Sequence, residues 1–196
     1  RGAARHHRRE SDATAENWDH RRAPGLAAGS AGWRAGGNDF ERTHWQKDEK
    51  LLSPTSAKNM KLLWKIQLDS KPRVMSNLFT TLVAGSVTTK NGPKEIAIVA
   101  GVSDDLFAID AKTGTLLWNK PYQTDYQGPP AGQDPLCPGG QTAIPAIDKV
   151  APGKYTIYSV SWDGRLHQIN AADGEDLAPP IKFVPANGKT WALNLY

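Results

Sequence analysis

The chain has 196 residues, 39% of them hydrophobic, with 18 Gly, 14 Pro and one Cys. That punctuation disfavours long helices, no run of ~18 apolar residues offers a membrane-crossing helix, and the lone Cys137 excludes an internal disulfide. The formal net charge of +4 is unevenly placed: residues 1–36 hold seven Arg against four acids (Glu10, Asp12, Glu16, Asp19) and no Lys, so the remainder is near neutral and no nucleic-acid partner is indicated.

Residues 1–36 contain few aliphatic side chains and cannot bury enough apolar surface to offset their ordering entropy, which predicts a disordered basic tail. His6, His7 and His20 lie in it, but no acid or Cys spacing completes a metal site with them. Leu26 to Gly32 has the small residues of a cleavage region without a hydrophobic stretch before it, so no signal peptide is visible.

Residues 37–196 read as short strands separated by turns. Ser53-Pro54 opens a helical turn running to Lys58, with Pro near its first position. Leu62 to Leu68 follows as a strand with Leu62, Trp64, Ile66 and Leu68 on one face. Thr80 to Thr88 is a strand interrupted at Gly85, and Asn91-Gly92-Pro93 turns into Glu95 to Val102, apolar enough for a buried central strand. Leu106 to Asp110 alternates, with Leu106, Ala108 and Asp110 on one side and Phe107 and Ile109 on the other. Thr113-Gly114 turns again into Leu116 to Lys120, completing a four-stranded meander over residues 80–120.

Residues 121–141, rich in Pro, Gly and Gln and carrying Cys137, read as a surface connection. The pattern then returns over residues 142–184: Thr142 to Asp148, Tyr155 to Ser161, Leu166 to Asn170, and a poorer strand from Leu177 to Val184 that contains Pro179-Pro180. Residues 190–196 look like the first strand of a third unit.

The two units match at an offset of 60: Leu106, Ile109, Ala111 and Gly114 correspond to Leu166, Ile169, Ala171 and Gly174, and Asp110 to Asn170. Upstream, an offset of 61 aligns Ile96 and Val99 with Ile157 and Val160. Leu62-Leu63-Trp64 matches Leu116-Leu117-Trp118 at an offset of 54. A repeated four-stranded antiparallel unit predicts an all-β chain forming part of a β-propeller: two blades, strands of adjoining blades and a disordered tail.

Ala108, Asp110, Thr113, Gly114 and Trp118 fit AxDxxTGxxxW. This resembles the tryptophan-docking motif of the pyrroloquinoline-quinone-type (PQQ-like) β-propeller family. In residue terms, Asp110 can accept turn N–H groups, Gly114 can take positive φ, and Trp118 can wedge between neighbouring blades. The resemblance implies that Leu62 to Leu68 completes the last blade of a ring, with Trp64 in the docking position. The second unit departs from the motif, with Gln168, Asp173 and Ala178 in place of Ala, Thr and Trp. Two blades do not close a ring, so the expectation is an N-terminal fragment that is marginal or aggregation-prone by itself and is completed by further blades or a protein partner.

Enzymes of the family bind PQQ and usually Ca²⁺, and often place adjacent cysteines against the cofactor. Cys137 stands alone, and a packed or loop thiol is expected. Asp104, Asp105, Asp163, Asp173, Glu175 and Asp176 sit at turns, where Asp bonds to backbone, and His167 falls at the strand position of Phe107, which suits packing better than base chemistry. No catalytic, cofactor or metal residues are assigned in this portion. Two functions follow from the resemblance: a noncatalytic, protein-binding scaffold in the bacterial periplasm or outside the cell, or the opening portion of a PQQ- and calcium-dependent quinoprotein dehydrogenase oxidising alcohols or sugars.

Overall fold

In a computed structural model, the structure describes residues 32–47, 49–69, 79–101, 104–122, 143–186 and 192–195. Its elements are one helical turn, α1 (Pro54–Ala57), and eight strands: β1 (Leu82–Thr89), β2 (Gly92–Gly101), β3 (Asp105–Asp110), β4 (Leu116–Pro121), β5 (Ala146–Ala151), β6 (Lys154–Val160), β7 (Arg165–Asn170) and β8 (Ile181–Lys182). They form two four-stranded antiparallel meanders, β1-β2-β3-β4 and β5-β6-β7-β8. The architecture is the expected all-β one. His6, His7, His20, Cys137, residues 1–31 of the predicted tail and residues 190, 191 and 196 of the expected third unit lie outside the described residues, and the described 192–195 form only a single bridge, Ala192 to Ile144, rather than the expected strand.

Alternation along β3 sorts its side chains into two cores. Leu106 and Ala108 join Leu82, Ile96 and Ile98 in a cluster that continues into the second sheet through Ile147, Tyr155, Ile157 and Ile169. Phe107 and Ile109 face the other way, with Ala97 and Val99, and meet Trp64, Ile66 and Leu68. The first sheet is therefore covered on both faces, which explains the unbroken apolar run in β2.

Several boundaries differ from expectation for identifiable reasons. Leu62 to Leu68 is not hydrogen-bonded into a sheet, although burial alternates along it, with Trp64 and Ile66 half-buried and Leu68 buried. Leu62 does not share that face and is 82% exposed. The interruption at Gly85 is a bulge: register shifts between Ala84 and Val87, and Ser86 takes φ +55°. The fourth strand of the second sheet shrinks to Ile181–Lys182, preceded by a single bridge from Asp176 to Ile169. Pro179 and Pro180 lack the N–H groups that would extend it.

The repeat offset is also corrected. Ile96 opposes Asp110 and Ala100 opposes Leu106, while Thr156 opposes Asn170 and Val160 opposes Leu166. An offset of 60 therefore holds through both central strands, and no extra residue enters the turn between them. Val160 corresponds to Ala100, and Ile157 to Ala97.

Residues 32–36, placed by composition in the tail, are bonded to the sheets. Trp33 O accepts from Val83 N at 2.7 Å, and Arg34 O accepts from Ile147 N at 2.8 Å, which ties the segment to the first strand of each sheet. Asn194 Nδ2 donates to Phe40 O at 2.7 Å, and Leu193 N donates to Ile144 O. Apart from the Asn194 side-chain amide, backbone groups make these bonds, so composition could not signal them.

Phe107 is 1% exposed at the centre of the apolar contact on one face of the first sheet. Phe107→Ala is expected to lower unfolding stability by about 3 to 5 kcal/mol in urea titration, the range for large-to-small changes in a packed core.

Candidate functional site

The functional side chains gather where a strand of one unit meets a turn of the next. Asp110 ends β3 and organises the first such turn. Its Oδ1 accepts from Lys112 N at 3.0 Å and Thr113 N at 3.3 Å, while Gly114 N donates to Asp110 O at 2.8 Å. Lys94 Nζ donates to Asp110 Oδ2. Burial favours the protonated acid, but the Lys94 ammonium and the turn amides outweigh it and hold the carboxyl below its ordinary value.

Gly114 takes φ +73°, and a Cβ on it would lie 2.6 Å from Trp64 Cδ2. The Trp64 ring thus lies directly on the glycine, while its Nε1 donates to Ala111 O at 3.0 Å. The second turn repeats this arrangement. Gly174 has φ +82°, its Cβ would lie 2.8 Å from Trp118 Cδ2, and Trp118 Nε1 donates to Ala171 O at 3.1 Å. Each tryptophan grips the turn of the unit that follows it.

The departures of the second unit from the motif preserve its turn. Asn170 Oδ1 accepts from Ala172 N at 3.1 Å, as Asp110 accepts from Lys112, and Asp173 Oδ1 accepts from Glu175 N at 3.1 Å. Asn170 Nδ2 also donates to Asp173 Oδ2 at 2.9 Å. Of the motif residues, Trp64, Asp110, Thr113 and Gly114 meet at the first turn. Trp118 and Gly174 meet at the second, and Ala108 lies in the core between the sheets.

Beside the Trp118 contact lies a polar cluster whose members come from both strands and turns. Lys120 Nζ reaches from β4 to Asp176 Oδ2 at 3.0 Å and Gly174 O at 3.2 Å. His167 Nδ1 lies 3.2 Å from Asp176 Oδ1, and its Nε2 lies 3.2 Å from Ser161 Oγ. Ser161 Oγ donates to Asp163 Oδ1 at 2.6 Å, and Asp163 also bonds Arg165 Nε at 2.9 Å. The rings of Tyr122 and His167 stand 4.5 Å apart, tilted by 46°. Asp104, at φ +59°, accepts from Trp162 N at 2.7 Å, fastening the β2–β3 turn to the β6–β7 turn. The repeat places Gly164 at the corresponding position, with φ +83°. A carboxylate in a conformation that glycine adopts readily is therefore the signal sequence comparison could have used.

Charge at this end is tuned by burial. Asp105, 5% exposed and with one carboxyl oxygen lacking a hydrogen bond, has its pKa pushed up to about 6 by desolvation and by nearby Asp69. Burial lowers the His167 pKa, and Asp176 only partly opposes this. Asp163 is held below its ordinary value, because the bonds from Ser161 and Arg165 outweigh its desolvation.

These residues do not make a Ca²⁺ donor set. Among the described residues no three His, Cys, Asp or Glu side chains are grouped to hold a metal ion. Asp104, Asp110, Asp163 and Asp176 are each engaged by a donor from the protein. Ca²⁺ needs six to eight oxygens.

Trp118→Ala is expected to cost about 2 to 4 kcal/mol in chemical denaturation, because the ring is half-buried rather than fully enclosed. Gly174→Ala should be destabilising alone and less so in the Trp118→Ala background, where the steric conflict is gone and the cost of positive φ remains; additive effects would contradict the seating of ring on glycine. Asp105 binds its proton more tightly folded than unfolded, so it favours folding as pH falls through about 6 towards 3.8. Asp105→Asn should raise stability at neutral pH and remove that part of the pH profile.

No family model matches the chain, and no curated protein matches it. Among solved structures, the quinohemoprotein alcohol dehydrogenase from Comamonas testosteroni superposes with a TM-score of 0.55 and 21% identity, over 80% of this chain and 20% of that one. The chain thus spans about a fifth of the length of that protein. At this identity the likeness speaks to fold alone. With the two meanders, it shows that the chain has the fold of part of a PQQ-type β-propeller.

Proposed function

We propose that this chain belongs to a noncatalytic PQQ-like propeller that serves as a structural or protein-binding scaffold, in the periplasm or outside the cell. The observation that carries this reading is the engagement of the polar side chains at the candidate site. Asp104, Lys120, Asp163, His167 and Asp176 bond to one another or to backbone where turns and sheets meet. Their hydrogen-bonding capacity fastens the units together, a task suited to a rigid platform. The partners of such a platform are further blades or another protein. Among the described residues no helix is long and apolar enough to cross a membrane.

A second reading, the opening portion of a quinoprotein dehydrogenase, is favoured by the likeness to the quinohemoprotein alcohol dehydrogenase. PQQ and Ca²⁺ would then be held by residues other than those described. Titrating the protein with PQQ and Ca²⁺, in the presence of a primary alcohol and a dye acceptor, separates the two. The scaffold reading expects no saturable cofactor binding and no alcohol-dependent dye reduction. Saturable binding together with turnover would establish the dehydrogenase instead.

A further inference from the structure

The two tryptophan contacts are built on the same frame but lined differently. Around Trp64 the lining is apolar: Ile66 and Leu68 follow it on the same face and meet Val99 and Phe107 of the first sheet. The repeat offsets place Lys120 and Tyr122 where Ile66 and Leu68 stand, and Ser159 and His167 where Val99 and Phe107 stand. Asp176, opposite Ile169, takes the place of Leu116, opposite Ile109. One interface is thus sealed by hydrocarbon, while its copy carries a cation, a carboxylate and an imidazole in the same positions. Exchanging packed apolar groups for ionisable ones carries a desolvation cost unless they are paired, so at these positions the second interface depends on charge state and the first does not.

Asp176 is the shared element. One carboxyl oxygen bonds Lys120 from the first sheet, and the other faces His167 Nδ1 from its own sheet. The Ser161 hydroxyl proton goes to Asp163, so Ser161 offers His167 Nε2 only a lone pair. His167 therefore faces two acceptors, and a neutral imidazole has one N–H. A second proton would let it donate to both, while setting a new positive charge beside Lys120. We propose that His167 is a proton-operated release for the grip of β4 on the 171–176 turn, in which the charge that the added proton sets on the ring repels Lys120 and competes with it for Asp176.

The groups facing His167 are Lys120 from β4, Tyr122 just after it, Asp163 from the β6–β7 turn, and Asp176 from the segment after β7, while Asp104 from the turn before β3 acts on Tyr122. Tyr122 stays neutral, because burial pushes its pKa well up. The sign follows from burial and Lys120, which together hold the histidine below its ordinary value of about 6.5 against the pull of Asp176 and Asp163. The proton therefore binds more readily once the contact is undone. The grip is whole above that value and weakens as pH falls through the lower folded-state value. Asp105 works in the opposite direction over nearby pH, so overall stability alone would blur the effect.

The test follows the Trp118 indole N–H and the His167 ring by NMR on the intact chain, from about pH 7.5 to about pH 5, the range in which histidine titrates. The indole resonance is expected to move with the His167 midpoint in the wild type, and to stay fixed in His167→Gln. Lys120→Met keeps the histidine but removes the tie that it would release, so its indole resonance is also expected to stay fixed; this variant decides the matter if His167→Gln does not fold. An indole signal that is static in the wild type, or that titrates equally in either variant, overturns the proposal. A merely structural His167 would alter stability in both directions of substitution without linking the two midpoints.

Discussion

An indole ring lying flat on a glycine holds this chain together. The contact needs three things at once: a backbone turn with positive φ, no Cβ at its apex, and a carbonyl aimed at the indole N–H. Asp110 and Gly114 supply the first two at one turn, and Asn170 and Gly174 at the other. Ala111 and Ala171 supply the carbonyls. Because the ring comes from the preceding unit, the contact has a direction, and the units follow one another in a fixed sense along the chain. The unbroken apolar run of β2 follows from this, since a sheet gripped from both sides must bury both of its faces.

Much of this order is legible in the residues. Strict alternation from Leu106 to Asp110 assigns each side chain to the correct core, and the TG and DG pairs mark turns because only a few residue types accept positive φ. The 60-residue match survives, because cross-strand register ties β2 to β3 and β6 to β7 in the same way. Matching Ile96 to Ile157 by hydrophobicity failed there: one residue of slip reverses the face, and hydropathy alone does not see the partner strand.

The candidate site was harder to read because its meaning lies between units. Asp104, Lys120, His167 and Asp176 are far apart in sequence and individually ordinary, as turn or strand residues. Only superposition of one interface on the other reveals that a hydrocarbon lining has been exchanged for a titratable one. The strained Asp104 and the orphaned oxygen of Asp105 mark the same end of the sheets, where backbone comfort and carboxylate solvation are both sacrificed. The binding of Trp33 and Arg34 to two sheets likewise left no trace in composition, since it uses main-chain groups.

The strap from Trp33 to Phe40 also bears on how the molecule assembles. Its links run to Val83, to Ile147 and, across 154 positions, to Asn194, so one short segment collects partners from nearly the full length of the chain. Contacts of such separation carry a large loop-closure entropy and form only after the intervening sheets have condensed. Emerging during synthesis before the residues it binds, this segment must wait for Asn194 before its bond from Phe40 O can form. It therefore acts as the closing stitch of the fold rather than as its nucleus.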